Sequence, residues 1–295
     1  MPEIRRILCP IDFSEFSVSA YRHALSVAQH YRAKLFVQQI VELSRYPSAS
    51  FAVSAGLYRE FCRCLLQNAE EELQEFLKNH ADNDIQPECV VELGIAPDAI
   101  LAFAEARKTD LIVMGTHGRR GFDRFMLGSV TERVMRKASC PVLAVRKPPQ
   151  DPIGPGQQQD PVHLSRILLC TDFSVNSQRA LDYAISLATE YKAELTLLHV
   201  LEDIPVSASI EGAIATATEQ LNRLLPPEER KTASIKTLVR IGKPYQQIVQ
   251  FALEAQTDVV VMGVRGRGAL DLAVFGSTAH RVLQLGPCPA VVIRV

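Results

Sequence analysis

Several signatures of common enzyme classes are missing from this chain of 295 residues. It has no Gly-x-x-x-x-Gly-Lys-Ser/Thr motif, which excludes a P-loop NTPase. It also lacks the Gly-x-Ser-x-Gly elbow of serine hydrolases and the His-Glu-x-x-His motif of zinc peptidases. Tryptophan is absent, which removes one common platform for stacking bases. Any chemistry must therefore come from another arrangement of residues.

The chain also has little charge imbalance and no long apolar run. Its formal net charge of -1 gives no bulk attraction to nucleic acid or to anionic lipid. No apolar stretch approaches the roughly 20 residues of a membrane helix, and the amino terminus leads into a short strand instead of a signal peptide. The seven scattered cysteines indicate reduced thiols. We therefore predict a cytoplasmic protein with neither nucleic acid nor membrane as a partner.

The chain contains an internal repeat. An apolar run followed by Asp12-Phe13-Ser14 recurs as an apolar run followed by Asp172-Phe173-Ser174. Between the copies lies a stretch rich in proline, glycine and glutamine without periodicity, which is typical of a linker. We predict two homologous domains, at residues 1–147 and 163–295, joined by a linker at residues 148–162.

Strands and helices alternate in each copy, which predicts an α/β fold. The expected architecture is two tandem doubly wound domains, each with a five-stranded parallel sheet in the order 3-2-1-4-5 and helices on both faces. In such sheets ligands bind beyond the carboxyl ends of the strands, where the strand order reverses. Asp12 follows strand one and Gly115 follows strand four, so we expect them to meet in one crevice.

A glycine-rich loop joins strand four to the next helix in both copies. Each loop has the spacing Gly, two residues, Gly, nine residues, Gly-Ser. Glycines let a backbone approach an anion closely, and the first N–H groups of a helix point at it, so the loops predict phosphate binding. The alternative is that the glycines serve turn geometry only. The candidate residues are Met114, Gly115, His117, Gly118, Arg119, Gly128 and Ser129, and in the second copy Met262, Gly263, Arg265, Gly266, Gly276, Ser277 and Thr278.

The carboxylates of Asp12 and Asp172 have two possible roles. A carboxylate at the tip of strand one can accept from a ribose hydroxyl or hold Mg²⁺ through water. It can also cap the helix that follows. Both roles can hold at once, and the sequence leaves them open.

These motifs together resemble the universal stress protein family, with two such domains in tandem. The resemblance is carried by the two aspartate turns, the two glycine loops, and the Ser139–Val142 and Pro287–Ala290 approaches to strand five. It implies that adenine is read by backbone at the end of strand two, near Ile40 and Val200. It also implies binding by residues of the turn after strand one and of the helix start, here Pro10, Ile11, Thr171, Val130 and Thr131.

The resemblance implies a cytoplasmic stress-response regulator that binds ATP, with or without Mg²⁺. The alternatives are a scaffold with vestigial sites and a slow ATPase, although no general base or second substrate motif that would favour an enzyme is visible. We expect the two halves to pair through their apolar fifth strands. The sequence leaves open whether two chains also form a homodimer. We also expect the first copy to bind ATP more tightly, since Thr131 has Ala279 as its counterpart.

Overall fold

The first half of the chain alternates strands and helices as predicted. The computed structural model describes residues 4–46, 55–80, 85–118, 127–146, 164–202, 209–225, 234–264 and 275–294. The Arg119 position and the predicted linker lie outside these residues. The elements of the first half are β1 (Arg6–Ile11), α1 (Glu15–Tyr31), β2 (Lys34–Val41), α2 (Ala55–Asn79), β3 (Glu88–Leu93), α3 (Ala96–Ala106), β4 (Leu111–Gly115), α4 (Ser129–Lys137) and β5 (Val142–Val145).

The second half repeats this order. Its elements are β6 (Arg166–Cys170), α5 (Val175–Tyr191), β7 (Glu194–Leu201), α6 (Ile210–Leu224), β8 (Ile235–Ile241), α7 (Pro244–Glu254), β9 (Val259–Gly263), α8 (Ser277–Leu285) and β10 (Ala290–Ile293). The Arg265 and Gly266 positions lie outside the described residues.

All ten strands form one sheet, in the order β3-β2-β1-β4-β5-β10-β9-β6-β7-β8. Strands pair in parallel within each half, so each half has the predicted order 3-2-1-4-5. In both halves the order reverses between the first and the fourth strand. The carboxyl ends of β1 and β4 therefore open into one crevice, as do those of β6 and β9.

The central strands are apolar because both faces of the sheet are covered. Two hydrophobic clusters lie on opposite faces, one including the alanines of α1 and α5 and the other including residues of α3, α4, α7 and α8. Ala20, Ala24 and Ala28 form a stripe with no exposed surface. Small side chains at four-residue spacing let α1 lie close to the sheet. The start of α1 is thereby held beside the crevice.

The two halves join at their fifth strands. β5 and β10 pair antiparallel, with Leu143 opposite Val291. An arginine after each of these strands donates to the last helix of the other half, Arg146 to the Gly286 carbonyl at 2.7 Å and Arg294 to the Lys137 carbonyl at 2.9 Å. These contacts are reciprocal, so the halves are related by an approximate two-fold axis.

The described residues lack two further features. None of their helices has the length and apolarity needed to cross a membrane. Nor do they contain a group of three or more His, Cys, Asp or Glu side chains able to hold a metal ion.

Candidate functional site

A cavity of about 1060 Å³ lies at the carboxyl ends of β1, β2 and β4. It is lined by elements that are far apart in sequence and that meet because β1 lies between β2 and β4. The structure brings the described candidates of the first copy together here, namely Pro10, Ile11, Asp12, Ile40, Met114, Gly115, His117, Gly118, Gly128, Ser129, Val130 and Thr131. These residues lie close together because of the strand order of the sheet. Their functions in binding a ligand stay predictions.

The turn after β1 is built around Asp12. Its Oδ1 accepts from the backbone N–H of Ser14 at 3.1 Å and from the Ser14 hydroxyl at 2.6 Å. Ser14 is the N-cap of α1, because its side chain accepts from the Ser17 N–H. Asp12 therefore supports the cap without being the cap residue. Phe13, which lies between them, has φ of 60°, a strained value for a residue with a side chain.

Gly118 and Gly128, two of the three glycines in the motif spacing, border the crevice in the loop and at the start of α4. A Cβ at Gly118 would lie 2.6 Å from the Asp12 Oδ2, so this glycine sits directly across from the carboxylate. A Cβ at Gly128 would lie 3.1 Å from the Thr116 carbonyl. Gly128 is also the N-cap of α4, and as a glycine it has no side chain to bond the first N–H groups of that helix. Its first N–H groups are the kind of donors that suit an anion.

Gly115 has a packing role in addition to its place at the cavity. A Cβ there would lie 2.8 Å from both the backbone carbon and the Cβ of Phe16. Gly115 is therefore required for the close approach of α1 to β4; it also lines the cavity, and its part in phosphate binding stays a prediction. Gly263 repeats this contact, since a Cβ there would lie 2.9 Å from the Cβ of Asn176.

Thr131 also acts within the protein. Its side chain is buried, and its hydroxyl donates to the Gly115 carbonyl at 2.8 Å. Because a hydroxyl has one proton, that donor is already used. A hydrogen bond from Thr131 to a phosphate would therefore require this hydroxyl to turn away from the Gly115 carbonyl, and the expected inequality of the two sites stays a prediction.

His117 forms part of the crevice wall close to α1. It is 5% exposed, its Nδ1 lies 3.0 Å from the Thr116 hydroxyl, and its ring lies 4.8 Å from that of Phe16. The ring is thus held by a hydrogen bond and by an aromatic contact.

The far wall of the crevice consists of residues that carry no motif. Glu42 accepts from the Ala96 N–H at 3.1 Å and so caps the start of α3. Ile95 is 61% exposed at the rim. The lining residues missed by the sequence analysis are Phe13, Ser17, Gln39, Glu42, Ser44, Ile95, Ala96, Pro97, Ile100 and Leu127. The one signal for them was position, because the segments after β2 and β3 must end at this edge of the sheet.

The second half repeats the framework of the site. Ser174 caps α5, and Asp172 accepts from its N–H at 3.1 Å. The Gly276 N–H donates to the Val264 carbonyl at 3.0 Å, as the Gly128 N–H does to the Thr116 carbonyl at 2.8 Å. The other described candidates lie at matching places: Thr171 after β6, Val200 near the end of β7, Met262 and Gly263 at the end of β9, and Ser277 and Thr278 at the start of α8.

Larger side chains surround the corresponding place in the second half. His199 takes the position of Gln39, donates from Nδ1 to the Thr171 carbonyl at 2.8 Å, and packs 4.3 Å from the ring of Phe173. Tyr245 takes the place of Pro97 as the second residue of α7. Phe275, before the N-cap glycine, takes the place of Leu127. The two crevices therefore share a framework but differ in their walls.

Two tandem doubly wound domains, with a glycine loop and an aspartate turn at the switch point of each, define the class of this protein. The universal stress protein family model matches residues 3–146 and 163–294. The chain belongs to the universal stress protein family, as a tandem pair of such domains.

Individual relatives are consistent with this assignment. A universal stress protein of Methanocaldococcus jannaschii is 33% identical over 147 residues, which is 50% of this chain and 85% of that protein. One of Mycobacterium tuberculosis is 30% identical over 196 residues, 64% of this chain and 63% of that protein. The crystal structure of a universal stress protein from Archaeoglobus fulgidus has a TM-score of 0.69 at 22% identity and covers 99% of this chain and 97% of its own.

A universal stress protein has also been solved in complex with cAMP. It has a TM-score of 0.36 at 18% identity and covers 44% of this chain and 97% of its own.

Proposed function

We propose that the first half of the chain binds an adenine nucleotide, ATP, in the described crevice. In this proposal the protein is a cytoplasmic regulator of the stress response and not an enzyme. The observation that carries the proposal is that the start of α4, the two crevice-facing glycines and the Asp12 turn border one cavity.

The phosphate end of the proposed ligand lies at the start of α4. The helix begins at Ser129 behind Gly128, where exposed or half-buried residues offer backbone N–H groups and a hydroxyl. Helix starts favour anions because of their N–H groups and the positive end of the dipole. Gly118 leaves the approach to this point open on the side of Asp12.

The base and sugar end lies toward β2 and α3. Ile40 and Ile100 supply apolar surface on the cavity wall, and Ile95 stands at its rim. The family resemblance implies that backbone near Ile40 reads the adenine. Asp12 is placed to accept from a ribose hydroxyl, as carboxylates after strands do in related architectures. A cavity of about 1060 Å³ lies at the upper end of the usual range for ligand sites, so a nucleotide has room.

Mg²⁺ fits the site only together with phosphates. The described residues lack a ready cluster of metal ligands, but Asp12 and Glu42 both line the cavity. Mg²⁺ typically uses one or two carboxylates plus the phosphates of its ligand. If the nucleotide binds with Mg²⁺, Asp12 would hold the ion, as the alternative to its contact with a ribose hydroxyl, and the ion would supply positive charge to the phosphates.

The second half binds the nucleotide more weakly in this proposal. Its walls support this, since Tyr245 and Phe275 are larger than Pro97 and Leu127 and occupy equivalent positions. The main binding site is then in the first half, and the second half serves as its packing partner.

The deciding experiment identifies and measures the ligand. Purified protein is denatured and the released small molecules are analysed by mass spectrometry. Nucleotide-free protein is then titrated calorimetrically with ATP, ADP, AMP, cAMP and GTP, with and without Mg²⁺. We expect one tight site that prefers adenine nucleotides.

Each alternative has its own outcome. No binding at millimolar nucleotide would leave a scaffold with vestigial sites and overturn the proposal. ATP turnover that survives repurification and falls in an Asp12→Asn variant would replace the binder with a slow ATPase.

A further inference from the structure

The ends of α1 and α5 meet between the two halves, and four side chains form a cluster there. This helix-end cluster consists of His30, Tyr31, Glu190 and Tyr191. The His30 Nε2 lies 3.0 Å from the Glu190 Oε1, and the His30 ring stacks on Tyr191 at 4.1 Å and 14°. The Tyr31 and Tyr191 rings lie 6.2 Å apart. Because a carboxylate only accepts, Nε2 carries the proton and donates it.

The cluster joins equivalent positions of the repeat. His30 and Glu190 are the last residue but one of α1 and α5, and Tyr31 and Tyr191 are the last. An approximate two-fold axis brings each position against its own equivalent. If two copies of the first half paired through this surface, His30 would face a second His30. If two copies of the second half did so, Glu190 would face a second Glu190.

The strand and arginine contacts between the halves do not distinguish these pairings. The strand contacts are apolar in both halves. The arginine contacts are similar on the two sides, with Arg146 and Arg294 each donating to a carbonyl at the end of the last helix of the opposite half. Both halves also end their first helix with tyrosine. In the described part of the chain, His30 and Glu190 thus occupy equivalent positions but carry unlike side chains that complement each other directly.

We propose that the His30–Glu190 pair selects pairing between the unlike halves of one chain over pairing between like halves of two chains. In the unlike pairing a donor meets a carboxylate. Pairing of like second halves would place two carboxylates together beside neutral phenols, since burial raises the pKa of Tyr191 well above its usual range. Like charges in contact are unfavourable, so this pairing is disfavoured.

The size of the selection follows from the exposure of the pair. The His30 and Glu190 side chains are 34% and 40% exposed, so solvent weakens their interaction. Exposed pairs in which both groups are charged shift an equilibrium by about 1.4- to 5-fold, which is the upper bound for this contact. That is a modest bias, and it adds to the advantage that the covalent connection already gives to pairing within one chain.

Charge exchange in the full-length protein tests the proposal. His30→Glu places two carboxylates in contact and Glu190→His places two imidazoles in contact, so each variant reproduces one of the two like pairings and loses the contact between a donor and a carboxylate. The exchanged double variant, His30→Glu with Glu190→His, restores unlike residues in the reverse order. We expect each single variant to lower the thermal midpoint, and the double variant to recover most of both losses. Losses that simply add in the double variant would overturn the proposal.

A second readout localises the effect to the interface. In a Leu143→Cys/Val291→Cys background, disulfide formation within the chain reports pairing of the fifth strands, because these residues are opposite each other. We expect the single charge variants to slow it and the double variant to restore it. Lys236→Glu is the matched control, since Lys236 pairs with Glu194 at 2.7 Å within the second half. It should lower the midpoint without changing disulfide formation; an equal effect in the control would also overturn the proposal.

Discussion

A Cβ atom on Gly118 would lie 2.6 Å from the Oδ2 of Asp12, so the loop after β4 and the turn after β1 are in contact across the crevice. These residues are more than a hundred positions apart and meet because β1 and β4 are neighbouring strands. A change at either residue therefore acts on the other, and variants of the site must be designed with both in view.

Asp12→Asn should weaken ATP binding without disturbing the turn. An asparagine Oδ1 still accepts from the N–H and hydroxyl of Ser14, which keeps the cap of α1. The negative charge is lost, and a hydrogen bond to a charged group is worth about 1.5–3 kcal/mol. We expect affinity to fall about ten- to a hundredfold by calorimetry. Asp172→Asn is the matched control and should have little effect; equal losses in the two variants would contradict the assignment of the main site to the first half.

Gly115→Ala and Gly118→Ala should separate packing from binding. The new Cβ at Gly115 collides with the Phe16 backbone, and such overpacking costs about 1–3 kcal/mol. At Gly118 only the end of the Asp12 side chain must move. We expect Gly115→Ala and its counterpart Gly263→Ala to lower the free energy of unfolding, and Gly118→Ala to leave it nearly unchanged while weakening ATP binding. Chemical denaturation and titration of the same samples check this, and a stable Gly115→Ala variant would contradict it.

The sequence predicted the fold better than it predicted what individual site residues do. Alternating strands and helices, repeated once, predict two parallel sheets with helices on both faces, because a parallel sheet needs covering helices. The role of Gly115 depends on where Phe16 packs. That is a tertiary contact, and no local sequence pattern predicts it. The apolar wall formed by Ile95, Pro97 and Leu127 comes from two segments that are separate in sequence. No spacing of residues could therefore predict it.

Thr131→Ala should affect stability more than affinity. The hydroxyl donates to the Gly115 carbonyl in a buried setting, and such a hydrogen bond contributes about 0.5–1.5 kcal/mol. Alanine is accommodated at the equivalent position 279. We expect the free energy of unfolding to fall by about that amount, with ATP affinity changed less than about twofold. A tenfold loss of ATP affinity at unchanged stability would contradict this prediction and would indicate that the Thr131 hydroxyl bonds the ligand.

Cys64 should react with alkylating reagents well before the core thiols. It is exposed, whereas burial raises the pKa of Cys140 to about 12 and that of Cys288 to about 12. Since the thiolate is the reactive form, only about one part in ten thousand of these two thiols is reactive at pH 8. Mass spectrometry of peptides after brief iodoacetamide treatment checks this. Rapid labelling of Cys140 in folded protein would be the contrary result.

Placing the wall residues of the second half in the first half should give the first crevice the weaker ATP binding proposed for the second. Pro97→Tyr with Leu127→Phe installs in the first half the side chains that the second half carries at Tyr245 and Phe275. Both wild-type residues line the cavity, so the larger rings reduce its volume. The fold should tolerate them, because the same backbone positions already hold these residues in the second half. We expect ATP affinity to fall more than about tenfold, the effect of losing about 1.4 kcal/mol.

Asp98→Gln is the control for this exchange, because it also installs the residue of the second half, Gln246, but outside the cavity. Asp98 pairs with Arg133 at 2.8 Å on the exposed side of α3, and surface pairs contribute little to stability. It should leave affinity unchanged. If the double variant binds ATP as well as the wild type, these two wall positions do not limit binding, and any difference in affinity between the halves must come from other positions at which the two crevices differ. Loss of affinity in the control as well would instead point to a general disturbance of α3, which anchors one side of the crevice through the Ala96 N–H and Glu42.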